Sequence, residues 1–256
     1  RDHIGIEGFS GRLAEGGRGQ ELLNLAALGR VQRGEPADRK YTGGPWSDAY
    51  VYNTVEAICL ALAVKPDGNA ELTRAQTHLR AKLDEWIPII LAAQAKDGYI
   101  HSFHVLNNHP RYSNTGWHEF YVMGYFLEMG VAHYRITGGK DRRLLDAAKR
   151  LADCWVKNIG PAPKRAWYPG HQELEQALVK LARYVEQTEG PGSGKAYIEL
   201  AKFLLDSRQG GDEYDQSHAP VTRQYEAVGH AVRAVYSYCG MADVAMETGD
   251  TDYHSA

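Results

Sequence analysis

The chain has 256 residues, enough for one large domain or two small ones with a sizeable core. Hydrophobic residues make up 43% and charged residues 24%, with a net charge of −3 and a pI near 6.4. Those values are ordinary for a globular protein and exclude the basic face that nucleic-acid binding usually demands; no apolar run approaches the roughly 20 residues that span a bilayer.

The chain opens at Arg1 with neither Met nor an apolar leader, so a mature or trimmed N-terminus is expected. The compartment stays open among bacterial cytoplasm, periplasm and secretion. Residues 1–45 read as an N-terminal segment, partly irregular, in which only Leu22 to Leu28 looks helical. From there helices follow one another over 48–64, 72–95, 118–137, 142–158, 173–189, 195–208 and 225–248, with almost no alternation that suggests strands. They pair into hairpins across the turns Lys65-Pro66-Asp67-Gly68, Thr137-Gly138-Gly139, Thr188-Glu189-Gly190 and Thr248-Gly249-Asp250. The segments LLDAAKRLAD at 144–153 and YIELAKFLLD at 197–206 repeat one amphipathic pattern, a degenerate repeat of helical hairpins.

Connections within hairpins are short, whereas those between hairpins, at 96–117, 159–172 and 209–224, are long. That alternation suits inner and outer helices of an α/α toroid, with every long loop at one end, where sites are usually built. The expected fold is therefore all-α, an α/α toroid of the six-hairpin type over 46–256. It is expected to be incomplete in this chain, because the fourth hairpin only begins its second helix at Tyr253.

Of the 11 histidines, seven lie in or just after the long loops: His101, His104, His109, His118, His171, His218 and His230. His118, His171 and His230 fall near the starts of successive inner helices, which predicts a shared site. Trp46, Tyr52, Trp117, Tyr121, Trp167 and Tyr168 fall at the same end. Sugars offer C–H faces to aromatic rings and hydroxyls to polar side chains, so the combination predicts a carbohydrate pocket. Glycosidases usually work with a carboxylate pair, but Glu119, Glu173 and Glu175 sit in first helical turns, where the helix dipole alone explains acids. No catalytic pair is assigned. Cys59, Cys154 and Cys239 are too dispersed for a disulfide framework or a zinc cluster, and read as buried small hydrophobes. The glycines of 190–194 follow a helix, not a strand, and make a poor phosphate loop.

Several strings carry a family resemblance: WHEFY at 117–121, YPGHQELEQALV at 168–179, HAPV at 218–221, EAVGHAVR at 226–233 and GMADVA at 240–245. Over about 46–256 they resemble glycoside hydrolase family 127, the β-L-arabinofuranosidases, and the related family 146. The resemblance implies retaining hydrolysis of β-L-arabinofuranosides from plant glycans, with a zinc-bound cysteine thiolate as nucleophile and a glutamate as acid/base. It carries sugar binding over to His118, His171 and His230, and Trp46 and Tyr52 join them as candidate substrate-binding residues. The family's nucleophile, acid/base and zinc ligands follow the GMADVA helix, so zinc is expected in the complete enzyme and no complete site in this chain. The chain alone is accordingly expected to be inactive.

Where the family has Asp-Ser-Asp-Val-Tyr-Lys, this sequence has Asp48-Ala49-Tyr50-Val51-Tyr52-Asn53, which leaves the sugar open. The expected partner is an arabinose-containing carbohydrate, with a homodimer of the complete protein, and neither nucleic acid nor membrane. Two alternatives stand beside the hydrolase. One is a sugar-binding module or pseudoenzyme; the other is a sugar epimerase or isomerase using histidines as acid and base.

Overall fold

A computed structural model describes residues 20–256. Among these residues there are helices and no strand; one isolated bridge joins Ile159 and Arg165. The helices are α1 (Gln20–Gln32), α2 (Asp48–Ala63), α3 (Ala70–Ala92), α4 (Ser102–Leu106), α5 (Glu119–Ile136), α6 (Arg143–Asn158), α7 (Leu174–Glu189), α8 (Lys195–Asp206), α9 (Ala231–Thr248) and α10 (Thr251–Ser255).

Four of them form an inner row, with α5 packed on α2, α7 on α5 and α9 on α7. The outer helices α6, α8 and α10 each return against the inner helix before them, while α3 packs on α1 and α2. This is the wall of an α/α barrel, as the alternating connections predict. None of the described helices is long and apolar enough to cross a membrane.

Composition explains which helix goes where. Central α5 is buried nearly all round, by Phe120, Val122, Met123, Phe126, Leu127, Met129 and Val131, as a helix surrounded by others must be. Outer α6 is strongly amphipathic: Leu144, Leu145, Ala148, Leu151, Ala152 and Trp155 face inward, while its charges face out. Contact between the two is close because Gly130 has no side chain. A Cβ there would meet the Leu144 carbonyl and the Ala148 Cβ, each at 2.8 Å. Gly138 and Gly139 supply the positive φ angles, 59° and 77°, that turn the chain between them.

Three features differ from the sequence reading. A short helix, α4, interrupts the first long loop because buried Asp48 accepts from the Ser102 amide at 2.7 Å and from its hydroxyl. The last inner helix starts at Ala231, not 225: the His230 ring caps it by accepting from the Arg233 amide at 3.4 Å. Residues 224–230 instead run along the third loop, where Gln216 Nε2 donates to the Val228 carbonyl at 2.9 Å. Finally, Cys59 and Cys154 are buried as expected but Cys239 is exposed. It lies on a face of α9 that also exposes Val232 and Val235, so helical periodicity alone misplaced it.

Candidate functional site: a row of imidazoles at the loop end of the barrel

The three long loops bring His118, His171 and His230 together, as the register of the hairpins predicts. The His118 and His171 ring centroids lie 5.7 Å apart and those of His171 and His230 5.9 Å apart. Trp46 extends the row at one end, 5.1 Å from His118, and Tyr214 at the other, 5.4 Å from His230. Behind them stand Tyr121, 4.4 Å from His171, and Tyr236, 6.0 Å from it. Tyr125 shares a 2.5 Å hydroxyl–hydroxyl hydrogen bond with Tyr236 and packs edge-on against Tyr121 at 4.9 Å.

Local backbone sets each imidazole. His118 adopts a left-handed conformation (φ 56°) just before α5, which costs a non-glycine residue energy that the surrounding structure must repay. Its Nδ1–H donates to the Gly116 carbonyl at 2.8 Å, and the His171 Nδ1–H donates to the Gln172 carbonyl at 2.8 Å. A carbonyl can only accept, so both rings carry their proton on Nδ1 and leave Nε2 as an acceptor. His230 has the opposite tautomer, since its Nδ1 accepts from an amide and Nε2 is left as the donor. The row therefore presents two acceptors and one donor. Burial pushes the His171 imidazole down to about 4 and lowers His118, with Arg233 adding to both shifts, so the two stay neutral at pH 7.

Arg233 was not singled out from sequence. It donates to the Gly170 carbonyl at 2.6 Å and lies over the Tyr214 ring at 4.6 Å, joining the second loop to the third. Buried Arg208 does the same beneath, donating to the Pro169 and Asp215 carbonyls and approaching Glu175 at 3.5 Å.

Other predicted residues go elsewhere. Tyr52 is fully buried, edge-on to Phe126 at 5.0 Å, and its hydroxyl has no partner among the described residues. No ring contact links it to the row. Trp117 stacks on His109 at 4.3 Å and packs on Phe103 and His104, in a second cluster behind His118. Trp167 and Tyr168 lie under the guanidiniums of Arg165 and Arg208.

The three carboxylates are not solvated helix-start acids but buried ones. Among the described residues neither Glu173 oxygen has a partner, and a Cβ on Gly124 would overlap that carboxyl. Burial, with the charges of Glu128 and Glu175, holds it well above the usual carboxylate range. Two larger grooves, about 420 and 440 Å³, run along α9–α10 and α6–α8 and include none of the row.

For the zinc that the resemblance implies, the donors do not fit. Among the described residues no three His, Cys, Asp or Glu side chains converge as a metal site, and two of the three cysteines are buried in the core.

An α/α barrel wall with imidazoles and aromatic faces gathered at its loop end is a scaffold that several families share. Comparison with known proteins specifies which. The profile described as Beta-L-arabinofuranosidase, GH127 catalytic domain, matches residues 18–256. A non-reducing end β-L-arabinofuranosidase of Bifidobacterium longum subsp. longum is 33% identical over 252 residues, covering 86% of this chain and 35% of that protein. The structure of a GH127 β-arabinofuranosidase superposes with a TM-score of 0.78 at 35% identity, over 97% of this chain and 37% of that one. A GH127 β-L-arabinofuranosidase from Geobacillus stearothermophilus T6 gives 0.75 at 28%, over 91% and 38%. The chain belongs to the GH127 β-L-arabinofuranosidase family of glycoside hydrolases. It spans little more than a third of the length of the relatives it matches.

Proposed function

We propose that this chain forms the sugar-recognition wall of a β-L-arabinofuranosidase. In this reading it holds a terminal arabinofuranosyl residue of a plant-derived glycan while the glycosidic bond is hydrolysed with retention. The carrying observation is the row His118–His171–His230, whose two acceptors and one donor have tautomers set by backbone groups. A furanoside hydroxyl both donates and accepts, so neighbouring hydroxyls satisfy His118 and His171 as donors and His230 as acceptor. Trp46 and Tyr121 supply the faces against which sugar C–H groups pack.

The row supports binding rather than bond cleavage. It contains no nucleophile, and Glu119, Glu173 and Glu175 point into protein instead of into the row. The epimerase alternative needs a histidine that gives and takes a proton near neutrality. His171, pushed down to about 4, serves as an acceptor and not as that acid.

Titration of the 256-residue chain with a methyl β-L-arabinofuranoside, followed by calorimetry, tests the reading. Saturable binding without turnover is expected; preference for an unrelated pyranoside, or turnover of an aryl arabinofuranoside by this chain alone, contradicts it.

A further inference from the structure

Behind the sugar row lies a second, closed set of polar groups. His101 Nε2–H donates to the Pro45 carbonyl at 3.1 Å, because a carbonyl cannot donate. With that proton placed, neutral His101 has only a lone pair on Nδ1, so the proton in its contact with His104 Nδ1 belongs to His104. His104 Nε2 is then a lone pair as well. It is buried without a hydrogen-bond partner among the described residues and faces Glu119 Oε2 across 3.7 Å. The two carboxyl oxygens of Glu119 also accept from the Tyr99 hydroxyl at 2.5 Å and the Tyr112 amide at 2.9 Å. A carboxylate would therefore set lone pair against lone pair in a desolvated site; one proton held by the pair Glu119 and His104 relieves that opposition.

Both ends of this chain of groups adjoin residues of the row. Pro45 precedes Trp46 and Glu119 follows His118, and Trp46 and His118 are the pair that closes one end of the row. We propose that Glu119 and His104 share one buried proton, and that this proton fixes Trp46 against His118 in the sugar pocket.

The remaining groups around Glu119 fit this assignment. Burial pushes its carboxyl up to about 7, against the pull of Tyr99, the Tyr112 amide and the guanidiniums of Arg111 and Arg165. Burial, reinforced by His109, pushes His104 down to about 4, so the proton resides on the carboxyl. The Cys154 thiol touches only the far side, at 3.9 Å from the Tyr112 hydroxyl, and His118 meets the set through His101. Burial lowers both His118 and His171, so neither gains a proton as Glu119 loses its own near pH 7.

Nitrogen-15 NMR of the wild-type chain tests the proton pair without any sugar. Below neutrality His104 Nε2 is expected to report a lone pair with no proton of its own. The Trp46 indole and His118 resonances are expected to step together near pH 7. In Glu119→Gln, which has no proton to lose, that step disappears. The binding readout rests on the sugar-pocket reading: affinity for the arabinofuranoside falls about fivefold between about pH 6 and about pH 8.5 in the wild type, and stays level in the variant. Absence of any step at Trp46 and His118 in the wild type, or a His104 Nε2 that keeps its own proton above pH 8, overturns the proposal even if the variant does not fold. A step without sugar binding at any pH upholds the proton pair and overturns the pocket reading instead.

Discussion

Two sets of histidines stand back to back in this molecule. The front set, His118, His171 and His230, ties each Nδ1 to a backbone group and leaves each Nε2 available. The back set, His101 and His104, turns its nitrogens on each other, on the Pro45 carbonyl and toward Glu119, leaving nothing for a ligand. The same side chain thus leaves a nitrogen open in one place and closes both off in another. What separates the roles is where the nearest carbonyls and carboxyls stand. The boundary passes between adjacent residues: the ring of His118 faces the row, and the carboxyl of Glu119 faces the brace.

The comparison predicts opposite consequences for the two sets. The largest effect belongs to the back. His104→Ala opens a cavity in the core and leaves His101 Nδ1 without its partner, and is expected to cost about 3 kcal/mol in chemical denaturation. A loss below about 1 kcal/mol would mean the brace carries no stability. The brace also has a pH signature. Because the folded carboxyl of Glu119 is raised from 4.5 to about 7, its contribution is whole below pH 4.5 and is lost as pH climbs toward 7. The stability of the wild type minus that of Glu119→Gln, measured across that window, is expected to decline with pH; a flat difference would place a permanent charge there.

Front-set variants are expected to spare stability and lose affinity. His171→Ala removes the central acceptor and is expected to weaken arabinofuranoside binding about tenfold or more, with little change in Tm. Trp46→Ala, at a half-open ring, is expected to cost about fivefold. Tyr52→Phe has the smallest expected effect. Its hydroxyl is buried without a partner, so removing it raises stability by up to about 1 kcal/mol. Unchanged sugar affinity would confirm Tyr52 as a core residue, whereas a loss would return it to the pocket.

Much of the barrel was legible because its helices bury apolar faces of constant period and end in Gly-rich turns. Leu144 to Trp155 and Tyr197 to Leu205 announce themselves this way. The front histidines were legible for a related reason, since hairpins in register put the start of each inner helix at one end. Tyr52 stands apart from the row because an inner helix has two sides, and its ring turns toward Phe126 on α5. The carboxylates failed for a longer-range reason. An acid in a first turn looks solvated unless one knows that Gly124 makes room for Glu173, or that Tyr99, twenty residues upstream, meets Glu119. Arg233 and Arg208 gave no local signal either, because their partners are backbone carbonyls of other loops.

In the proposed function three imidazoles from three loops form one sugar site. Adding methyl β-L-arabinofuranoside at neutral pH while following the imidazole nitrogens of His118, His171 and His230 tests it most directly. All three are expected to shift along one saturation curve, with Nε2 of His118 and His171 reporting accepted protons and that of His230 a donated one. Shifts at only one of the three, or separate curves for each, would contradict a single site.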